Sequence, residues 1–547
     1  MERIFKGREC KRSGRSYFDF SRFNRCSRDF SKTAAVACDR SDAVGRKKGK
    51  SSRVTASVTV PLSLAFLALA MLLLGLLEGS RYDGLKADAW DLTNLAAESL
   101  FAGYQPFLLE NYQMFFLDGS FGTGTWNIEA AENEMEALLN ENLGTESITG
   151  GMNFYCMNVN SLEVTDYVLA ADQNGKVFEA HAAKAMKKTL GQKAAKKILN
   201  RIQNVEEKKE EAPDPEDSIK NADEALTELK KAKEEAEANK TESEEDNKTL
   251  EDTKEPQITE NPLDTIKKLK KQGILTLVLP QGKSVSTKSV SVDNCLLKRK
   301  LQKGTYAPAA NLGWYERILM QEFVKPYAGN AVKPNKDAVL SYGTEYLICG
   351  KGSDEENLKS TVKKLLAMRE AVNFLYLQTD AGKSAEAYAA AVAIAGVTVN
   401  PVIITLVKQG ILGAWAYAES ICDVKALLAG GNIPLLKNAA NWKTQLTNLG
   451  ESALQETKGE SDGLSYENYL DVLLYQKSVN QIAYRSMDLM EWNMQKEDLY
   501  KKCRMDEMIV GLKLTAEYDA SPLFAEIFGD ANWPDYQFVE KTEYVYD

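Results

Sequence analysis

VTASVTVPLSLAFLALAMLLLGLL, residues Val54–Leu77, runs for 24 residues without a charge, and Arg53 and Glu78 close its two ends. A helix needs about 20 mostly apolar residues to cross the hydrocarbon core of a bilayer. The stretch therefore reads as one transmembrane helix. Its LAFLALAMLLLGLL half is apolar on every face, which a helix packed on a water-soluble core does not require. It is longer than a signal-peptide apolar region, and no clean small-residue cleavage site follows it. Thr55, Ser57, Thr59 and Pro61 gather at its N-terminal end, where headgroups tolerate polar groups and proline suits a first helical turn.

Charge orients the helix. Residues 1–53 hold 16 Lys/Arg against five acids, a net of +11 within a chain whose total is −10. The basic flank is Arg46, Lys47, Lys48, Lys50 and Arg53, directly before the apolar run. By the positive-inside rule the N-terminus stays cytoplasmic and the rest is exported, a single-pass arrangement at the cell membrane. The tail meets anionic lipid headgroups as its partner. No basic surface interleaved with aromatics points to nucleic acid.

Beyond the span, Leu85, Ala89, Leu92, Ala96 and Leu100 recur at helical spacing with Asp88, Asp91, Asn94 and Glu98 between them. The membrane helix is thus expected to continue as an amphipathic stem. Phe107–Asp118 is aromatic-rich and is expected to dock into a core. Strands are expected at Tyr155–Val159, Glu163–Leu169, Gly273–Pro280, Tyr342–Cys349, Met508–Tyr518 and Tyr536–Tyr546. Helices are expected at Val177–Ile202, through Asp354–Asn438, and at Tyr466–Cys503. Asn174-Gly175 signals a turn. Strands and helices without a βαβ rhythm give an α+β fold, mainly helical, with a small antiparallel sheet. A second uncharged run, Ala387–Val407, is Ala-rich and interrupted by Asn400-Pro401. It reads as two packed helices in a core, with a second span as the alternative.

Residues 205–260 carry 21 acids, nine lysines and three prolines, with no aromatic residue. They read as a solvated linker with one exposed helix near Ala222–Ala238. The expected organisation is a basic tail (1–53), the transmembrane helix (54–77), stem and first exported part (78–204), acidic linker (205–261) and main exported α+β domain (262–547).

No catalytic constellation assembles from the sequence. The single histidine, His181, lies among alanines, with no G-x-S-x-G elbow elsewhere. Gly282-Lys283-Ser284 and Gly382-Lys383-Ser384 lack the upstream glycine of a phosphate loop, having Leu277 and Leu377 in its place. Gly119–Gly124 has the wrong glycine order for a dinucleotide fingerprint. Eight cysteines show no CxxC or CxxH spacing, so no zinc site is expected. Glu419 and Asp423 share one face of an apolar helix and are expected to pair with Lys425 or Arg369 rather than to act as acid and base. No catalytic, cofactor or metal residue and no small-molecule substrate is assigned, and the chain is expected not to be an enzyme. Of the readings weighed, an extracytoplasmic hydrolase is the weakest.

Ser57–Arg81, SVTVPLSLAFLALAMLLLGLLEGSR, resembles the anchor of TadE/TadG-like pseudopilins of tight-adherence pilus systems. The exit motif Glu78-Gly79-Ser80-Arg81 carries the likeness, through Glu78, Gly79 and Arg81. The motifs GYQPFLLENYQMFFLD (Gly103–Asp118), YGTEYLICGKGSDEENLK (Tyr342–Lys359), LLAMREAVNFLYL (Leu365–Leu377), ILGAWAYAESICDVKALLAGG (Ile411–Gly431), LSYENYLDVLL (Leu464–Leu474) and YRSMDLMEWNM (Tyr484–Met494) resemble uncharacterised exported proteins of Gram-positive anaerobes found near tight-adherence genes. The resemblance implies a structural or assembly component of a pilus or surface secretion system, with protein partners. The alternative is an exported, membrane-anchored binding or adhesion protein. Ser57–Pro61 lacks the acid that pilin-like precursors carry near the start of the mature helix, which argues against prepilin-type processing.

Overall fold

The structure is a computed structural model, and it describes residues 58–143, 155–238, 261–307, 312–396, 400–524 and 534–546. The basic tail and its flank (Arg46, Lys47, Lys48, Lys50, Arg53), the first four residues of the expected span and 239–260 of the expected linker lie outside the described residues. The chain divides into two compact units, Met1–Ala70 and Met71–Asp547.

Helix α1 is Thr59–Ala102. Over its apolar stretch the large side chains are bare: Leu62 is 68 % and Phe66 74 % exposed. From Arg81 onward one face turns inward, burying Leu85, Ala89, Ala96, Ala97, Leu100 and Phe101. A long apolar helix near the N-terminus, compatible with a single-pass anchor, is thus present, and it runs on into the expected stem.

The stem packs on a sheet. Strands β1 (Leu117–Asp118), β2 (Met157–Leu169), β3 (Met508–Ala520) and β4 (Tyr536–Val545) are all antiparallel, with β3 in the middle. β2 pairs along one edge of β3, while β1 and β4 share the other. Alternation fixes the faces. Leu512, Leu514, Ala516 and Tyr518 are buried against α1 and α3 (Ile128–Leu143), whereas Lys513, Thr515 and Glu517 face outward. Aromatic edges lock the stem to β4: Tyr82 lies 5.2 Å from Tyr536, and Phe101 4.7 Å from Tyr546.

A second, larger core is helical. It gathers α2 (Pro106–Tyr112), α4 (Asp172–Lys187), α5 (Gln192–Glu210), α6 (Pro215–Ala238), α7 (Pro262–Lys271), α8 (Ile274–Val278) and α9 (Trp314–Ala328). α10 (Gly343–Cys349), α11 (Asp354–Thr379), α12 (Ala381–Ala395), α13 (Pro401–Leu428), α14 (Leu449–Leu454), α15 (Tyr466–Tyr475) and α16 (Val479–Met494) complete it. Polar side chains start several of these helices. Asn400 accepts from Val402 N before Pro401 opens α13, and Ser353 accepts from Glu356 N before the acidic first turn of α11. Met508 and Val510 belong to this core while Ile509 and Leu512 belong to the sheet's, so the start of β3 is held between the two.

Several expectations are corrected. Gly273–Pro280 and Tyr342–Cys349 are not strands; they contain α8 and α10. Gly343 through Ile348 are all buried, so no exposed face gave the run a readable period. Val177–Ile202 is two helices, broken at Leu190-Gly191. Residues 205–238 are not a solvated linker. α5 continues to Glu210, and α6 seats Ile219, Ala222, Ala225 and Leu226 in the helical core. Gly410 and Gly413 of α13 make that seat: a Cβ on Gly410 would lie 2.2 Å from that of Ala222. The Ala387–Val407 run is divided between α12 and α13, and α13 is 61 % buried over its most apolar stretch, as a core helix is. Asn174-Gly175 is a turn as expected, with φ of 58° and 83°. The fold is α+β, mainly helical with a small antiparallel sheet.

Candidate functional site

Two kinds of feature could carry function: the exit of the apolar helix, and the charged groups inside the helical core.

At the exit, Glu78 and Arg81 pair at 2.9 Å across one helical turn. Arg81 is 1 % exposed and donates its other nitrogen to the carbonyl oxygen of Tyr155 at 2.5 Å. Glu78 accepts from Phe524 N at 3.4 Å and faces the Tyr536 hydroxyl, whose pKa is raised by burial and by this carboxylate. The sequence-assigned pair is therefore a fastening between α1 and the sheet's neighbourhood. Gly79 has nothing within 4 Å of a notional Cβ and takes no part in it.

Inside the helical core, Glu419 and Asp423 of α13 meet Arg369 of α11 and Lys437. Asp423 Oδ2 accepts from Arg369 Nε at 2.9 Å and from Asn373 Nδ2 at 2.9 Å. Lys437 Nζ reaches Asp423 Oδ1 at 2.5 Å and also Glu419 Oε1. Glu419 further accepts from Lys443 N at 3.0 Å, Thr444 N at 2.8 Å and Thr444 Oγ1 at 2.7 Å. Two cations thus face two anions, with side chains 0–2 % exposed. Burial alone would raise the carboxyl of Asp423, but Lys437 and Arg369 hold it below its usual range. Lys437 is held above its own despite burial, by Asp423 and Glu419. Such a quartet, each charge paired with an opposite one, braces the helices that carry it. The expected partner Arg369 is confirmed. Lys425 instead donates to the carbonyls of Leu454 and Gln455, at 2.8 and 3.0 Å. Lys437 was missed because it arrives from a loop after α13.

A second network joins the core to the sheet. Arg299 forks onto Glu491 at 2.5 and 2.6 Å and also reaches Asp506, whose other oxygen accepts from Gln302 N at 3.1 Å. Glu345 of α10 is fully buried; it accepts from Ala331 N at 2.8 Å and from the Tyr466 hydroxyl at 2.7 Å. Among the described residues its Oε2 has no partner, and burial pushes its pKa up to about 7.

The remaining motifs are absorbed by packing. His181 is half-buried, its ring 5.7 Å from Phe116. Lys283 donates to Leu428 O at 2.7 Å, and Lys383 lies over Trp415 at 4.4 Å. Gly119 abuts Trp126 and the carbonyl of Glu507. Among the described residues Cys156, Cys295, Cys349, Cys422 and Cys503 form no disulfide, and burial pushes the thiol of Cys422 up to about 12. Among the described residues no group of three or more His, Cys, Asp or Glu could hold a metal ion.

Residues 252–520 match the model of a family of unknown function, DUF5702. No curated protein and no solved structure matches the chain. The matched stretch takes in the helical core from α7 onward and β3, and leaves out α1. Over that stretch the chain is similar to a family of unknown function.

Proposed function

We propose that this chain is a single-pass membrane protein, its N-terminal tail cytoplasmic and its α+β domain exported, that serves as a structural or assembly component of a tight-adherence-type pilus or surface secretion system. One observation carries the reading: a 44-residue helix that is bare and apolar at its start and fastened to a sheet over its second half. A bare apolar helix is satisfied only by lipid or by another apolar helix. The second half of that helix is fixed to the sheet by Arg81–Glu78 and by edge-on aromatic contacts. The buried quartet of Glu419, Asp423, Arg369 and Lys437, each charge of which is paired, supports a scaffold, since interactions held in packed networks maintain shape. The resemblance of Ser57–Arg81 to TadE/TadG-like anchors supplies the pilus context.

The alternative is an exported, membrane-anchored binding or adhesion protein outside pilus assembly. Crosslinking in native membranes followed by co-purification separates the two. Recovery of pilus or export subunits on the chain is expected; repeated recovery of the chain without them would refute the assembly role.

A further inference from the structure

A cleft of about 310 Å³ opens where α2, the end of α9 and the end of α16 meet. That is the lower end of small-molecule sites. Half-buried Phe107 and Tyr327 form its aromatic wall, backed by the buried ring of Tyr112, whose centroid lies 6.2 Å from that of Phe107 and 5.1 Å from that of Tyr327. The wall is braced from behind. Asn493 Nδ2 donates to the Tyr112 hydroxyl at 3.0 Å while its Oδ1 accepts from Val339 N at 2.8 Å. Asn335 Nδ2 donates to Tyr327 O at 2.8 Å, and its Oδ1 accepts from Asp337 N and Ala338 N, both at 3.2 Å. The cleft therefore stands preformed, which lowers the cost of occupying it.

Its rim is different. Asn111 gives its Nδ2 to Phe107 O at 3.0 Å, and among the described residues nothing bonds its Oδ1. Among the described residues, the carboxylates of Asp337 and Glu497 and the Tyr327 hydroxyl have no hydrogen-bond or ion-pair partner. Lys496, the lining cation, is committed to the carbonyl oxygen of Asp337. Unspent capacity thus lies on the acceptor side, beside a C–H-stacking wall. Two carboxylates against one ammonium disfavour an anion, and the net charge is too weak to select a polycation. The matching ligand carries several O–H or N–H donors, no negative charge and an apolar ring face.

We propose that this cleft binds an uncharged oligosaccharide through one or two sugar rings. The proposal is independent of the assembly reading. The test uses the full chain in a sugar-free zwitterionic detergent. Chitobiose and cellobiose are the probes and trilysine the competitor class, read by saturation-transfer NMR and calorimetry. At least one disaccharide is expected to bind with a millimolar Kd. The double variant Asp337→Asn/Glu497→Gln changes two exposed side chains. It is expected to keep the thermal midpoint and weaken binding at least tenfold. No binding of either disaccharide at about 10 mM, unchanged binding in the double variant, or binding of trilysine alone would each overturn the proposal.

Discussion

Replacing Arg369 by methionine keeps the bulk of a long side chain and deletes its charge and donors. The guanidinium is 0 % exposed. It donates to Asp423 at 2.9 Å, Leu435 O at 2.9 Å, Pro434 O at 3.2 Å, Tyr469 Oη at 2.9 Å and Asn373 Oδ1 at 3.1 Å. After substitution, Glu419 and Asp423 share Lys437 alone, and the carbonyls of residues 434 and 435 lose a buried donor. Breaking a buried pair by removing one partner costs about 3–5 kcal/mol, and each orphaned buried acceptor adds about 1–3 kcal/mol. These terms overlap, so the expected loss is about 5 kcal/mol. That rivals the whole stability of many domains, ~5–15 kcal/mol. Urea unfolding followed by tryptophan fluorescence reads it directly, because Trp442 lies 5.7 Å from Lys437 and Trp415 packs against Trp442. The midpoint should fall by roughly 1 M or more. Arg369→Met/Asp423→Asn should lose less than the sum of its single variants. A single variant within about 1 kcal/mol of the parent would refute the claim that this quartet holds the helical core together.

Other outcomes follow from the same geometry. Glu345 is raised in the folded state from 4.5 to about 7. Its contribution to stability is therefore fully present below pH 4.5 and is lost as pH rises toward about 7. Glu345→Gln should match the parent in melts near pH 4.5 and exceed it by about 3 kcal/mol above pH 7; parallel pH profiles would contradict the assignment. Gly410→Leu forces a side chain into Ala222. It should cost about 1–3 kcal/mol and expose α6 to trypsin at Lys220 and Lys230; an unchanged digest would mean α6 is not seated on α13. Arg81→Ala removes the fastening at the helix exit, and hydrogen exchange should accelerate in β4 and the first turns of the stem beyond Glu78. Equal exchange would show that the edge-on and tilted aromatic contacts alone hold the stem.

The parts of this fold that could be read in the sequence are those with a free face. α1 showed apolar residues at a helical interval beyond Glu78, and β3 and β4 alternated, because each has one side in water. α10 hid as a strand because the core surrounds it and leaves composition without period, and α8 because a single helical turn of five residues is too short to show one. α6 looked like a linker because its exposed face supplies the acids while its seat needs only Ile219, Ala222, Ala225 and Leu226. The Glu419–Asp423 pair was legible from helical spacing, which left its partner open between Lys425 and Arg369; the fold selects Arg369. Lys437 and the Arg299–Glu491–Asp506 network join residues far apart in sequence, which no local pattern records. The cleft is of the same kind, assembled from three elements around Tyr112, Tyr327 and Asn493.

The anchor and its orientation are tested most directly by labelling lysines on intact cells with a membrane-impermeant ester, then mapping modified peptides in the carbonate-resistant membrane fraction. Lys333, whose side chain is 74 % exposed, and Lys541 in β4 should be modified on intact cells. Lys47, Lys48 and Lys50 should be modified only after the membrane is opened. The reverse pattern, or release of the intact chain by carbonate, would contradict a single span at Val54–Leu77 with an exported α+β domain.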